Sequence, residues 1–467
     1  MSLNRREFLK KFGGTLGSLG LLSTLNVNDV LASPLTFDQV LEVEQSAKPI
    51  SEQTISFFNP GGLGGDPATA HHMKSFEDWM GTTVEAEALN PNDITTKISV
   101  AARSQSAEVD GQVTDPDGIS RLIQNNWVSE VGKFADEPDK WSDASKKVAK
   151  WPKKNFDGFG AGPSDFPYRE GIYFTPHYTQ FWMMHINQRV FEKAGLDYTN
   201  PPKTPEQFYE TCEQLKEVVD TPVLFPFSSA VEGGDIQTSL RHRMGGHLFK
   251  DGEPDVMNEG NLEAMKFQAN LVKKGYAPKG VVDLTEGSTA TQFFQGKAGI
   301  MFNQNENMFL PGKALPIDVP SREVDYPAHY PVPEAKDYKN FDKYKTGMVH
   351  TAPFSLNVFS KHKKAFALFM GLTSTKVEQA AQLVVEGNLP GRPDAFDMSV
   401  VRETVPYVDF FQELVQGGTK ELYPNETEIR ENMFQQTQLA MLGNKSPEKA
   451  LEALASATNK IYESNKG

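Results

Sequence analysis

The chain has 467 residues, a formal net charge of −14 and 38% hydrophobic residues. This length predicts two domains, or one unit of two lobes, because a single hydrophobic core stops growing well below it. The acidic balance argues against nucleic acid and anionic membrane surfaces as partners. No stretch is long and apolar enough to predict a membrane-spanning helix.

The N-terminus predicts export. Arg5 and Arg6 stand in a basic segment that resembles a twin-arginine signal, and a Gly-rich, mildly apolar run over residues 12–27 follows. A small-residue cleavage site ends at Ala32. It predicts a signal peptide over residues 1–32 and a polar linker over residues 33–49. The signal region has no cysteine for a lipid anchor, so we expect a free periplasmic protein. A basic cytoplasmic N-terminus is the alternative.

A strand, a Gly-rich loop, a helix and a second strand come next, over residues 54–59, 67–80 and 83–89. Such a βαβ unit can bind a phosphate or dinucleotide at the helix N-terminus. The glycines lack the dinucleotide-binding spacing, and the chain has no phosphate-binding loop motif. We interpret Gly61 and Gly62 as a loop whose backbone approaches a small polar ligand. A plain tight turn fits almost equally well.

The next segment combines a helix, a short strand and a long polar excursion. The helix is predicted over residues 94–104, and the strand over residues 108–114 leads into Asp115. Trp127 is interpreted as a core residue. Residues 133–171 are polar and rich in Lys, Asp, Gly and Pro, which predicts a surface excursion.

Residues 175–187 form an apolar and aromatic run of strand length, which predicts a buried strand. A short helix over residues 188–194 follows, and Gly195 is placed to end it. After a Pro-rich loop, Thr204 is placed as the N-cap of a further helix, with Pro205 at its first position. This strand is the segment around which we interpret the rest of the chain.

The one cysteine, Cys212, lies on the apolar face of that further helix with Phe208 and Leu215. A single thiol cannot form an internal disulfide, and acidic neighbours disfavour a reactive thiolate. We therefore predict a buried structural thiol and no catalytic role.

The second half of the chain alternates helices and strands, and a polar run over residues 303–307 follows one of the strands. The predicted elements are a buried strand over 222–227, a loop and helix over 233–246, helices over 262–274 and 288–295, a strand over 299–303, an extended second crossing between lobes over 325–333, a strand over 347–359, a helix over 361–372 and a last helix capped at Ser446.

Several of these segments resemble the carbohydrate-binding extracellular solute-binding proteins of ABC importers. The resemblance is close over more than thirty residues around the central strand, and it covers most of the mature chain in patches. Two departures stand out: Ile186 replaces a usual Tyr, and Met308 and Phe309 stand where a Trp is frequent. The matching residues are Pro176, His177, Tyr178, Gln180, Asn187, Phe191, Lys193 to Leu196 and Pro201 to Thr204, with Phe293 to Ala298 and Glu386 to Arg392 further along.

The resemblance implies an α/β fold of the periplasmic-binding-protein type II kind, with two lobes joined by crossing hinge strands. By analogy, residues 50–177 and 327–373 would form one lobe, and residues 182–322 and 375–467 the other. It also implies that the lobes close on a sugar or polyol. The ligand would then pass to the membrane permease subunits of the importer. We expect a monomer that is not an enzyme and needs no cofactor or metal.

Hydroxyl-rich ligands need bidentate polar side chains and an aromatic face for stacking. We expect about half of the candidates to touch ligand. A core position is as good an interpretation for Trp182 as stacking. The candidate ligand-binding residues are Asn59, Gly61, Gly62, Asp115, His177, Tyr178, Gln180, Trp182, Arg241, Asn303, Asn305, Glu306, Asn388 and Arg392.

Other function classes fit the sequence less well. An exported glycoside hydrolase would need two carboxylates at a defined spacing, which the sequence cannot identify among 61 acidic residues. His71 and His72 are adjacent on a predicted helix, so they point about 100° apart and cannot hold one metal as an i, i+4 pair would. A nicotinamide-dependent oxidoreductase lacks its motif. A binding protein for a non-sugar solute remains open.

Overall fold

The structure is a computed structural model, and it describes residues 54–60, 67–89, 91–113, 122, 125–131, 140, 142, 146, 172–309, 317–419, 423 and 425–464. The predicted signal peptide, the linker, the loop at Gly61 and Gly62, Asp115 and most of the polar excursion lie outside these ranges. No helix in the described ranges is long and apolar enough to cross a membrane.

The described ranges contain both strands and helices throughout. The strands are β1 (Thr54–Pro60), β2 (Thr83–Leu89), β3 (Gly111–Val113), β4 (Phe174–Asn187), β5 (Val223–Leu224), β6 (Phe249–Lys250), β7 (Glu253–Pro254), β8 (Ile300–Gln304), β9 (Asp325–Ala328) and β10 (Val349–Leu356). The α-helices are α1 (Pro67–Met80), α2 (Pro91–Arg103), α3 (Gln188–Lys193), α4 (Pro205–Leu215), α5 (Ala230–Arg243), α6 (Glu259–Lys273), α7 (Glu286–Phe294), α8 (Lys363–Thr373), α9 (Lys376–Glu386), α10 (Ser399–Thr404), α11 (Val408–Gly417), α12 (Glu426–Met441) and α13 (Pro447–Ser464). Short 3₁₀ helices lie at Lys279–Asp283, Asn305–Phe309, Ser321–Glu323, Ala335–Asp337 and Pro393–Asp397.

Most predicted elements are confirmed to within a few residues, because their apolar periodicity and end signals agree. β4 starts one residue before the predicted strand, and Asn187 at its end caps α3 by accepting from the Val190 N–H. Thr204 caps α4 as predicted. Two predicted strands are shorter than expected: β3 has 3 residues and β5 has 2.

The contacts divide the chain into two compact units. Unit 1 takes its described residues from Met1–Lys153, Gly162–Thr179 and Thr351–Gln416, and unit 2 takes its own from Lys154–Ala161, Gln180–His350 and Gly417–Gly467. Three unit boundaries fall within described elements: inside β4, inside β10, and between Gln416 and Gly417 at the end of α11.

These boundaries differ from the expected lobes. Residues 327–350 belong to unit 2, where Pro327 and Ala328 of β9 pair antiparallel with His185 and Met184 of β4. Residues 375–416 belong to unit 1, where Glu378 of α9 bonds to His72 of α1. The predicted second crossing at 325–333 therefore lies inside unit 2, and the chain changes unit within β10 instead.

Unit 1 is built on a mixed sheet. β1 pairs in parallel with β2 and β3, and β10 pairs antiparallel with β3. The parallel β1–β2 pair with α1 between them confirms the predicted βαβ unit. Phe57, Phe354 and Phe369 form a cluster with ring centroids 5.4 to 5.5 Å apart. Gly111 is required there, since a Cβ would lie 2.0 Å from the ring of Phe366.

Unit 2 is built around the second half of β4. β8 pairs antiparallel with β4, from Trp182 opposite Gln304 to Ile186 opposite Ile300, and β5 pairs in parallel with β8. Helix α5 is buried along nearly its whole length. Cys212 is buried in the core of this unit, where burial raises the pKa of its thiol, in agreement with the predicted structural role.

Candidate functional site

The end of β8 brings four polar side chains of unit 2 together. With the Gln304 amide turned so that its nitrogen faces the neighbouring acceptors, this nitrogen donates to Glu306 Oε1 and lies 3.3 Å from Glu286 Oε1. The same nitrogen lies 3.2 Å from the amide of Gln180 on β4. We call Gln180, Glu286, Gln304 and Glu306 the carboxyl–amide cluster. It offers hydrogen-bond donors and acceptors from β4, β8, α7 and the 3₁₀ helix after β8.

Both carboxyl groups of the cluster are held toward their neutral forms. Burial raises the pKa of Glu306 well above its ordinary value, and the charge of Glu286 raises it further. Burial also raises the pKa of Glu286, although its hydrogen bond with Glu306 and the nearby His350 oppose the shift. No lysine or arginine of the described residues forms an ion pair with either group.

Asn303 and Asn305 hold this end of β8 in place. Asn303 Oδ1 accepts from the Gln304 N–H at 2.8 Å, and its Nδ2 donates to the Glu286 carbonyl at 3.1 Å. Asn305 Oδ1 accepts from the Phe181 N–H at 2.7 Å. Both side chains are buried, so they position the cluster by bonding to protein groups.

Trp182 lies in the core of unit 2. Its side chain has no solvent exposure, and its indole Nε1 donates to Asp235 Oδ2 at 3.0 Å. Asp235 also bonds to His350 at 3.0 Å and forms an ion pair with Arg430. This geometry favours the core interpretation of Trp182 over ring stacking.

Arg241 is fully buried on α5, near the end of the helix. Its neighbour Arg243 is also fully buried and donates to the carbonyl oxygens of Tyr330, Tyr338 and Tyr344. The structure therefore places Arg241 in the interior of unit 2, away from its surface.

In unit 1, His177 and Tyr178 follow each other on β4. His177 is fully buried, and its Nε2 lies 3.1 Å from Thr69 Oγ1 on α1. Tyr178 is half-buried, and its ring centroid lies 4.8 Å from that of His177. Of the 14 residues of β4, Tyr178 in unit 1 and Gln180 in unit 2 are the two that are not fully buried. Asn59, at the end of β1, is buried at 1% exposure.

A buried ion-pair group ties α1 to α9 in unit 1. Glu378 Oε2 lies 2.6 Å from His72 Nδ1 and 3.4 Å from His71 Nε2, and His72 Nε2 lies 2.9 Å from Gln382 Oε1. Burial opposes charge on Glu378, but the two histidines together hold its pKa well below the usual range. Burial likewise opposes charge on His71, and Glu378 overcomes it and raises the His71 pKa.

The loop after α9 is attached to β4 within unit 1. Leu389 and Thr179 exchange two backbone hydrogen bonds of 2.8 Å. Asn388 Nδ2 donates to Glu386 Oε2 at 3.0 Å. Arg392 is fully buried, donates twice to Asp394 and also donates to the Ser374 carbonyl. The two predicted ligand residues of this loop, Asn388 and Arg392, therefore bond to groups of the protein.

The structure groups the predicted site residues unevenly. Gln180, Asn303, Asn305 and Glu306 meet at the carboxyl–amide cluster, whereas Trp182 and Arg241 lie in the core. Gly61, Gly62 and Asp115 lie outside the described residues. Sequence reasoning missed Glu286 and Gln304. The polar run over residues 303–307, which begins within β8, indicates Gln304, but no local pattern links Glu286 to Glu306.

Among the described residues, no group of three His, Cys, Asp or Glu side chains is arranged to hold a metal ion. The adjacent histidines of α1 are engaged with Glu378 instead.

The chain matches the model of the family described as bacterial extracellular solute-binding protein over residues 73–380. A curated binding protein of Brucella abortus (strain 2308) is 27% identical over 124 residues, which are 25% of this chain. The aligned region spans 29% of that relative.

Solved structures share the fold across almost the whole chain. Maltose-bound MalE3 of T. maritima has a TM-score of 0.71 at 15% identity, over 88% of this chain and 99% of that one. The GacH receptor of Streptomyces glaucescens, also solved with acarbose, has a TM-score of 0.73 at 15% identity, over 89% and 99%. A solute-binding protein of Agrobacterium radiobacter K84 in complex with ribitol has a TM-score of 0.67 at 15% identity, over 89% and 100%. These likenesses show the expected type II periplasmic-binding-protein fold.

Proposed function

Because the chain belongs to the family of bacterial extracellular solute-binding proteins, we propose that it binds a sugar or polyol and delivers it to the permease subunits of an ABC importer. Proteins of the same fold are described in complex with maltose, ribitol and D-mannitol. These proteins have low sequence identity to this chain, so the ligand class proposed for it is argued from its own residues.

The observation that carries the proposal is the carboxyl–amide cluster of unit 2. A sugar hydroxyl is both a donor and an acceptor, so it is matched best by amides and carboxyl groups. Gln180 and Gln304 offer amides, and Glu306 offers a carboxyl group. In unit 1, the half-buried ring of Tyr178 stays a predicted ligand contact, since an aromatic face suits the C–H face of a sugar.

Other parts of the proposal rest on the family and on the sequence. Export follows from the extracellular description of the family. The twin-arginine signal, cleavage after Ala32, the monomeric state and closure of two lobes on the ligand stay predictions. The ligand roles of Asn59, His177, Asn388 and Arg392, and of the residues outside the described ranges, stay predictions as well.

The glycoside hydrolase alternative finds little support at the carboxyl–amide cluster. Glycosidases keep their two carboxyl groups about 5 Å or more apart, so that a sugar or a water fits between them. Glu286 and Glu306 approach closely enough to share a hydrogen bond. We therefore propose a binding role for them and no catalytic one.

A thermal-shift panel on the purified mature protein tests the proposed function. The panel contains monosaccharides, oligosaccharides and polyols, with peptides, nucleotides and divalent cations as competing classes. We expect a saturable rise in melting temperature with at least one sugar or polyol, since a ligand that binds only the folded state stabilises it. A shift with a competing class alone would reject the carbohydrate proposal. Turnover of a glycoside would favour the enzyme alternative.

A further inference from the structure

We propose that Glu286 and Glu306 hold one proton between their carboxyl groups, and that loss of this proton as pH rises weakens both the packing at the end of β8 and ligand binding there. The binding half of this inference rests on the proposed function. The packing half stands on the geometry of unit 2 alone.

Two carboxyl groups share a single hydrogen-bond donor. Glu286 and Glu306 both present an oxygen to the amide nitrogen of Gln304. The second oxygen of Glu306, Oε2, is buried and has no hydrogen-bond partner in the described part of the chain. One neutral amide cannot balance two carboxylates in contact, and two like charges so close cannot both ionise without a large cost. A shared proton removes that cost.

The groups that face the pair do not supply the missing positive charge. From α5, Glu232 Oε1 accepts from the Glu286 N–H at 2.9 Å and adds a third carboxylate. From β10, His350 faces Glu286, but its Nδ1 is bonded to Asp235 at 3.0 Å. Arg430 of α12 is also paired with Asp235. Asn307 and Gln304 contribute neutral amides.

The sign of the pH effect follows from proton counting. Burial raises the pKa of both glutamates above the ordinary value of 4.5. As pH rises past 4.5, the unfolded chain releases these protons while the folded pair retains one. The free energy of unfolding therefore falls with rising pH until the pair has ionised. The pair stabilises the fold fully only below that window.

The carboxyl–amide cluster connects this proton to the proposed ligand groups. Glu306 lies in the same 3₁₀ helix as Asn305, which bonds to β4 at Phe181. Gln304 lies beside Gln180. Repulsion between ionised Glu286 and Glu306 therefore acts on the residues that hold Gln180 and Gln304 toward a ligand.

Chemical unfolding across pH tests the shared proton in the ligand-free, full-length mature protein. The variants are Glu306→Gln and Glu286→Gln, with Glu192→Gln, an exposed glutamate of α3, as the matched control. From about pH 5 to about pH 8, wild type and E192Q should lose stability relative to both cluster variants. Parallel curves for all four proteins would overturn the shared proton. If one of the two cluster variants does not fold, the unfolding curves of the other variant still test the shared proton.

The proposed effect of the shared proton on ligand binding is tested by measuring affinity across pH. The ligand is a sugar or polyol from the thermal-shift panel. Isothermal titration should show wild-type affinity falling at least about threefold between about pH 5 and about pH 8, and a flat profile for E306Q. Equal pH profiles for the two proteins would overturn the coupling to binding. If no sugar or polyol binds at any pH, the proposed function fails and the coupling fails with it, while the unfolding curves still decide the shared proton.

Discussion

Trp182 and Asp235 are joined by a hydrogen bond of 3.0 Å between the indole Nε1 and Oδ2, and neither side chain is exposed to solvent. The buried Asp235 carboxyl also pairs with Arg430 and bonds to His350. The indole is thus one of three groups, from β4, β10 and α12, that hold α5 in unit 2. This geometry predicts a structural role for Trp182.

Trp182→Phe should therefore lower stability and spare affinity. Phe keeps one aromatic ring but lacks the pyrrole ring, so the variant leaves a small cavity and takes a buried donor from Asp235. The lost donor alone costs about 1 to 3 kcal/mol. Urea unfolding measures the loss, with Trp127→Phe, at a partly exposed position of unit 1, as the control. Full stability combined with lost sugar binding would show that the indole stacks on the ligand.

A second prediction concerns Glu378 and the pH dependence of the stability of unit 1. Burial works against its charge, yet His71 and His72 lower its pKa below 4.5, so its stabilising effect is present above pH 4.5 and is lost as pH falls. Glu378 raises the pKa of His71 above 6.5, so that contribution is present below pH 6.5 and is lost as pH rises. The ion-pair group should stabilise unit 1 most between these two values.

Glu378→Gln should remove both effects and destabilise the protein by about 3 kcal/mol, because it leaves buried histidines without their carboxylate. The difference in unfolding free energy between wild type and variant should peak near pH 5 to 6, roughly, and shrink on both sides. Glu403→Gln, at an exposed position of α10, is the matched control. A difference that does not vary with pH would contradict the assigned ion pairs.

Helices and strands of this fold could be predicted from the sequence where apolar periodicity and helix-capping residues mark them. The βαβ unit, β4, the cap at Thr204 and β8 all follow from periodicity and from residues that end or start helices. Long-range charge arrangements could not be predicted in this way. Glu286 and Glu306 are brought together because α7 packs back along β8, where Asn303 donates to the Glu286 carbonyl. His72 meets Glu378 across 306 residues of sequence. Likewise, no local pattern distinguishes a buried Arg392 from one that faces a ligand.

Arg392 supplies a third prediction, because its hydrogen bonds indicate a structural role. Its guanidinium reaches both oxygens of Asp394, at 2.9 and 3.0 Å, and the Ser374 carbonyl at 3.3 Å. Arg392→Lys keeps the charge but loses the planar fork, so we expect a loss of about 1 to 3 kcal/mol. Arg402→Lys, at an exposed position of α10, is the control. Unchanged stability with weakened sugar binding would restore Arg392 to the ligand site.

Tyr178 and Gln180 are the positions where truncation should affect the ligand more than the fold. Each is half-buried on β4, whereas the other residues of that strand are buried. Gln180→Ala removes an amide beside Gln304, and Tyr178→Ala removes the aromatic face, so each should weaken binding about tenfold or more. Titration calorimetry with the sugar or polyol from the panel measures the change, and Gln214→Ala on the exposed side of α4 is the control.

Melting temperatures of the same variants separate binding from folding. Gln180→Ala should melt close to wild type, since a half-buried amide contributes little packing. Tyr178→Ala should lose somewhat more stability, because its ring packs against the core of unit 1. If both variants fail to fold, or if they fold and bind sugar as wild type does, neither Tyr178 nor Gln180 contacts the ligand.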